Sequence, residues 1–372
     1  MKKGWTYKKL GDIAEIIHGK NQKDVISEDG QYPIYGSGGN VMGYATDYLC
    51  EANTTILGRK GSINNPQFIT EKFWNVDTAF GIFAKNGNDS KFIYYFIKSI
   101  DWSKKNTGTT LPSLTQQVVK SVELSVPPLA EQERIVERLD AAFAQIDELK
   151  SNAEKQLADA RALFQSALKE MLEPKDGWME KTLKEVCSLI TDGTHHSPPN
   201  DEKGKYKYIT AKNIRIWGLD TSNITYVSEE IHKEIIARCN PKKGDVLYIK
   251  DGATTGIAIV NPLEEEFSML SSVALIRPYK DVLSSEFLCY TLNCPSIYNQ
   301  ARNQMDGAAI TRVTLVKIKG FVVSIPPIIE QQRIVTRLDS LKSKVDCLQE
   351  NFTKISQECD AMKQALLRQI FE

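Results

Sequence analysis

No apolar run in this 372-residue chain approaches the ~20 residues needed to span a bilayer. That excludes a protein threaded through a membrane by helices. The start, Met1-Lys2-Lys3-Gly4-Trp5, has basic residues but no apolar stretch behind them, so no secretory signal is expected there. Cysteine is scarce and irregular: seven residues, an odd number, with no Cys-x-x-Cys. This pattern fits neither a disulfide framework nor a zinc module, and reduced thiols in the cytoplasm are expected. Net charge is missing too. Lys and Arg together number 47, and Asp and Glu number 47. Such a balance argues against a chain that holds nucleic acid by bulk charge alone.

The zero is unevenly spread. Residues 1–128 carry 15 basic and 12 acidic side chains, whereas residues 129–177 carry 7 and 11. Residues 178–326 carry 18 and 17. The globular stretches therefore lean slightly basic, and the acid is concentrated between them. Any affinity for DNA from this chain alone should be modest, with partners adding positive surface.

Catalytic signatures are also absent. There is no G-x-x-x-x-G-K-[ST] phosphate loop and no G-x-G-x-x-G turn for a dinucleotide or S-adenosylmethionine. An amino-group methyltransferase would show Asn/Asp-Pro-Pro-aromatic. The three Pro-Pro pairs here, Pro127-Pro128, Pro198-Pro199 and Pro326-Pro327, have the wrong neighbours. Glu-x-Lys occurs at Glu148–Lys150 and Glu173–Lys175, within a helical pattern and a linker, not on the strand a nuclease needs. His195 and His196 are adjacent on a loop, so their rings diverge, and no second ligand pair lies near them. No catalytic, cofactor-binding or metal-binding residue is assigned.

What the chain does have is a long internal repeat. Ser125-Val-Pro-Pro-Leu-Ala-Glu131-Gln-Glu-Arg134-Ile-Val-Glu-Arg138-Leu-Asp140 recurs as Ser324-Ile-Pro-Pro-Ile-Ile-Glu330-Gln-Gln-Arg333-Ile-Val-Thr-Arg337-Leu-Asp339. Upstream, Gly108-Thr-Thr-Leu-Pro-Ser-Leu-Thr115 matches Gly307-Ala-Ala-Ile-Thr-Arg-Val-Thr314. The unit starts match as Trp5…Leu10-Gly-Asp-Ile and Trp178…Leu183-Lys-Glu-Val. Two homologous halves related by a pseudo-two-fold axis are expected. The boundaries follow: a globular part at 1–128, a helix at 129–173, a second globular part at 174–326 and a second helix at 327–372.

The helices are legible from their spacing. Ile135, Leu139, Phe143, Ile146, Leu149, Leu157 and Phe164 fall on steps of mostly four and three, with a skip around Leu157. Ile334, Leu338, Leu341, Val345, Leu348, Phe352 and Ile355 do the same. Neither run contains Gly or Pro. Roughly 40 residues make a rod of about 60 Å, and the narrow seam predicts that the two rods pair with each other, antiparallel. The globular parts mix short Gly-flanked strands with helical stretches in no regular alternation, so the class is α+β.

Polar loops recur at matching places in both halves. Gly36-Ser37-Gly-Gly-Asn40 closes a strand with a flexible turn. Arg59-Lys60-Gly61 aligns with Lys250-Asp251-Gly252, followed by Thr254. Lys104-Lys105-Asn106 with Thr109 aligns with Arg302-Asn303-Gln304. Thr194-His195-His196 and Lys212-Asn213 with Arg215 add further polar groups in the second half. Arg, Lys, Asn and Gln are the side chains that read base edges and phosphates. The alternative is that these are solvated turns and the chain is a structural adaptor with two protein-binding domains.

The repeat, the Pro-Pro–Glu-Gln–Arg-Ile-Val helix starts, Tyr32-Pro-Ile-Tyr-Gly-Ser37 and Gly108–Thr115 together resemble the specificity subunit of type I restriction–modification enzymes. In the second half Asp192-Gly-Thr-His195, Tyr208-Ile-Thr-Ala-Lys-Asn-Ile214 and Lys250-Asp-Gly252 are similar to that family's target-recognition domains. The resemblance covers essentially the whole chain. It implies two domains, each reading one half of a bipartite asymmetric site in double-stranded DNA. The paired helices would set the gap and dock two modification subunits, which bring S-adenosylmethionine. Restriction subunits would bring ATP and Mg. The chain itself would hold no cofactor, and its polar loops would supply the DNA contacts.

Overall fold

The computed structural model describes residues 4–85, 87–303, 305 and 312–372. These form two compact units, residues 1–154 with 352–372, and residues 155–351. In the first, strands Ala14–His18, Ala79–Ala84, Thr54–Gly58 and Gln67–Ile69 form an antiparallel sheet in that order. Thr54–Gly58 is buried along its whole length: Leu57 shares a core with Phe92, Ile93 and Phe96 of the Ser90–Ser99 helix, and Ile56 shares another with Cys50 and Phe73. A smaller mixed sheet orders Val41–Ala45, Tyr32–Tyr35 and Trp74–Asn75.

The second unit repeats this plan. Cys187–Asp192, Val273–Pro278, Val246–Ile249 and Ala258–Val260 form the four-stranded sheet. Thr225–Val227, Tyr206–Ile209 and Phe267–Met269 form the three-stranded one. The extra length of this half is a hairpin, Ile214–Arg215 with Gly218–Leu219, and a helix, Glu229–Arg238. Ser228 caps that helix by accepting from the Ile231 amide, and Glu229 and Glu230 sit in its first turn, where the helix dipole favours them.

The repeated segments are the pieces that close each unit. Thr6–Lys9, behind Trp5, pairs antiparallel with Glu123–Val126, and Met179–Thr182, behind Trp178, pairs with Val322–Ile325. The Pro-Pro that follows cannot extend a hydrogen-bond ladder and suits a helix start. The Pro128 carbonyl accepts from Glu131 and Gln132, and the long helices run Leu129–Leu172 and Ile328–Phe371.

The Glu-Gln motif is structural glue. Gln132 is buried, donates to the Pro127 carbonyl and accepts from the Asp89 amide, each at 2.9 Å. Gln331 is fully buried, donates to the carbonyls of Pro326 and Val282 and accepts from the Ser284 amide. Asp89 and Ser284 are the N-caps of the domain helices, so one glutamine per half ties the long helix to its own domain. At the far end of the motif, Asp140 and Asp339 accept from the hydroxyls of Tyr95 and Tyr290. Burial and the neighbouring carboxylate both push these phenols well above their ordinary pKa.

Within each unit the long helices run antiparallel. In the first, Asp147 pairs with Lys363, Lys150 with Asp360, and Cys359 lies against Ile146. Leu367 is fully buried in that unit's core, and Phe371 packs on Phe92 at 5.3 Å. In the second, Arg161 bonds Gln349, Phe164 packs on Tyr290, and Leu168 enters the core. Each globular core is thus completed by the far end of the other half's helix.

The seam differs from the sequence expectation in places. Ile135, Leu139, Phe143, Ile146, Leu157, Ile334 and Leu338 are buried. Phe164, Leu341, Val345, Leu348, Phe352 and Ile355 are half-buried. Leu149, however, is 58% exposed. Lys150 takes the seam position instead, one residue later, with its stem partly covered and its ammonium on Asp360. This restores four–three spacing from Ile146 to Leu157 and puts the skips at Leu139–Phe143 and Phe164–Leu168. Hydrophobicity alone had favoured the wrong neighbour.

Candidate nucleic-acid interface

In the first unit three of the loops singled out from the sequence meet at one end of the four-stranded sheet. The strand Thr54–Gly58 runs into Arg59-Lys60-Gly61, where Gly61 has φ +81°, a conformation that favours glycine. The Gly61 amide donates to the Pro112 carbonyl, and the Leu114 amide to the Arg59 carbonyl. The turn is thereby zipped to the 106–114 loop. Gly58 is packed so closely that a Cβ there would stand 3.2 Å from the Ser37 carbonyl oxygen, which brings in the Gly36–Asn40 turn. Asn40, Lys60, Lys104, Lys105 and Thr109 are exposed, and Ser37 is half-buried. Arg59 is also half-buried, and its Nε donates to the Asp77 carbonyl. Asn106 is exposed, but its Oδ1 accepts from the Gly108 and Ser113 amides, so its amide shapes the loop.

The second unit builds the same end with different residues. Lys250 occupies the place of Arg59, with the Val313 amide on its carbonyl, and Gly252 has φ +90°. Thr194 is fixed beside it, its amide on the Met269 carbonyl. Gly193 before it is required, because a Cβ there would fall 1.9 Å from the Met269 oxygen. His195, His196, Lys212, Thr254, Arg302 and Asn303 are exposed. Arg302 reaches the Ala253 carbonyl at 2.8 Å, so it braces the Lys250–Thr254 turn. Arg215 is half-exposed and stands 3.6 Å from Asp220. Gln304 lies outside the described residues.

Two of the expected DNA contacts are turned inward. Lys250 is 4% exposed, and its ammonium lies 3.4 Å from Asp192 and 3.3 Å from Asp251. Asn213 is buried as well. Its Oδ1 accepts from the Thr210 amide and its Nδ2 donates to the Asp220 carbonyl, closing the turn before the hairpin. Both are corrected to internal organisers of their loops. Replacing Lys250 by Met leaves buried Asp192 short of a partner, and a loss of about 3 kcal/mol in stability is expected. Thermal denaturation checks this. A variant that melts like the wild type would return Lys250 to the surface.

One family model matches most of the chain. The description "Type I restriction modification DNA specificity domain" fits residues 2–158 and again 175–357. The chain belongs to this family.

Its relatives agree. The EcoBI specificity subunit of Escherichia coli is 24% identical over 350 residues, covering 85% of this chain and 72% of that one. A chain from a solved structure of the type I R-M system, described for complex assembly and conformational transition, superposes with a TM-score of 0.75 at 20% identity. It covers 99% of this chain and 97% of its own. The HsdS subunit of Thermoanaerobacter tengcongensis superposes with a TM-score of 0.55, also at 20% identity, over 100% of this chain and 97% of its own.

For this specificity chain, no described helix is long and apolar enough to cross a membrane. No cluster of His, Cys, Asp or Glu among the described residues could hold a metal. The cysteines are all free. Sequence reading missed the group that organises the second loop end, Asp192 with Arg238. The helix ending at Arg238 was readable from its Ser228 cap and acidic first turn. Its meeting with a carboxylate 46 positions earlier was not.

Proposed function

We propose that each globular part of this type I specificity chain reads one half of a bipartite, asymmetric target in double-stranded DNA. The observation that carries this is the repeated loop end. The same sheet order presents turns at the same place twice, with Arg59-Lys60 in one and Lys250-Asp251 in the other. Equal scaffolds with unequal turns suit two different half-sites. The exposed polar groups there, among them Asn40, Lys60, Lys104 and Lys105 in one unit and His195, His196, Lys212 and Asn303 in the other, supply phosphate and base contacts. The long helices set the unspecified gap and dock two modification subunits. Those subunits bring S-adenosylmethionine, and restriction subunits bring ATP and Mg. The chain is the recognition part of this assembly and not its catalyst. It works in the cytoplasm, where the DNA and these partners are.

The test is sequencing of adenine methylation in a host carrying this chain with its methyltransferase, against the same host without the chain. A bipartite methylated motif that disappears with the chain is expected. Methylation that is unchanged would favour the adaptor alternative.

A further inference from the structure

The helix Glu229–Arg238, which has no counterpart among the described residues of the first unit, ends beside the turn that follows strand Cys187–Asp192. Arg238 Nη2 donates to Asp192 Oδ1 at 2.7 Å and lies 2.9 Å from His195 Nε2. A guanidinium can only donate, so Nε2 is the acceptor in this contact. Both Nη2 hydrogens are thereby used. The Nε and Nη1 hydrogens have no partner among the described residues, and the side chain is 51% exposed. Asp192 is 2% exposed and is held from the other side by the buried Lys250 ammonium.

A cation that only neutralises phosphate gains nothing from this arrangement. The buried carboxylate offsets part of its charge, and burying an ion pair is costly. What the network supplies is direction. A planar guanidinium tied at one nitrogen to a buried carboxylate, with an imidazole against the same nitrogen, points its remaining donors one way, which matters when the acceptors are the fixed atoms of a base edge. Among base edges, guanine offers two acceptors, O6 and N7, and no donor in the major groove.

We infer that Arg238 is a specificity-determining residue of the second unit, held by Asp192 and His195 so that its free donors meet the O6/N7 edge of a guanine. This rests on the half-site reading above. His195 is then a positioning residue, acting through Arg238, and the inserted helix exists to deliver the arginine.

The test maps methylation by the whole complex with wild-type chain, Arg238→Ala, Arg238→Lys and His195→Ala, each checked to melt like wild type. Both Arg238 variants are expected to relax one guanine position in one half-site by on the order of ten-fold or more, leaving the other half-site intact. His195→Ala should relax the same position more weakly, and His195→Gln, which keeps an acceptor, should recover it. Arg238→Ala that retains every guanine of both half-sites at wild-type stringency would overturn the inference. So would a uniform loss at all sites with a shallower salt dependence, the mark of a phosphate contact. A wild-type chain that directs no bipartite motif would overturn the half-site reading itself, and this inference with it.

Discussion

Gln331→Leu should lower the melting temperature of this protein by roughly 10 °C. The side chain is fully buried and makes three hydrogen bonds, to the Ser284 amide and the carbonyls of Val282 and Pro326. Leucine has nearly the same volume, so no large cavity forms. It leaves one amide and two carbonyls unpaired away from water, each at a cost of about 1–3 kcal/mol. A total near 3–5 kcal/mol corresponds to roughly 6–20 °C for a unit of this size. The neighbouring motif residues give the control. Glu330 and Arg333 form an exposed pair at 2.8 Å, three residues apart on the helix surface. Arg333→Ala should leave the melt unchanged, because exposed pairs contribute little. Differential scanning calorimetry of both variants decides the matter. A Gln331→Leu protein melting within 2 °C or so of wild type would mean that the motif does not fasten the helix to its domain.

Adding one heptad to both long helices is the second large change, and it is expected to lengthen the unspecified gap by about three base pairs. The insertion must respect the pairing within the first unit, where Asp147 faces Lys363 and Lys150 faces Asp360. Seven residues placed between Leu149 and Lys150 and seven between Asp360 and Ala361 keep both ion pairs opposite each other, at the cost of the single Cys359–Ile146 contact. Seven residues add about 10 Å of helix, close to three base-pair rises. A heptad also turns the helix almost a whole number of times, so the seam stays aligned to within about 20°. Four residues added to the first helix alone would instead slip one seam past the other, and weaker pairing with a disturbed gap is expected. The readout is the methylated motif. An unchanged gap in the double-heptad protein would show that the helices do not set the spacing.

The difference between what could be read and what could not follows the range of the interactions. The long helices, their starts at Pro-Pro and the division into halves were legible because they rest on local patterns. Proline chemistry acts on its immediate neighbours, and helical periodicity repeats every few residues. The place of the loop ends was legible because the halves could be compared with each other. The choice between Leu149 and Lys150 was not, since both lie within one residue of the seam. The partner helix decides it by offering Asp360 to the lysine.

The same limit explains the site. Lys250 and Arg59 look alike in sequence, each a cation before the glycine turn. One is buried over Asp192; the other is half-exposed with its Nε on the Asp77 carbonyl, and the corresponding strand of the first unit ends in His18 rather than an aspartate. Nothing near Lys250 in the chain announces that carboxylate, 58 positions away. By itself, then, the sequence determined that the protein is a doubled α+β chain of two homologous halves with two long helices. Only the tertiary structure decided which polar side chains in those turns face outward, that each core is completed by the other half's helix, and that Arg238 stands over Asp192. Local sequence sets backbone conformation, whereas the orientation of a charge depends on counter-charges and packing surfaces that the chain delivers from far away.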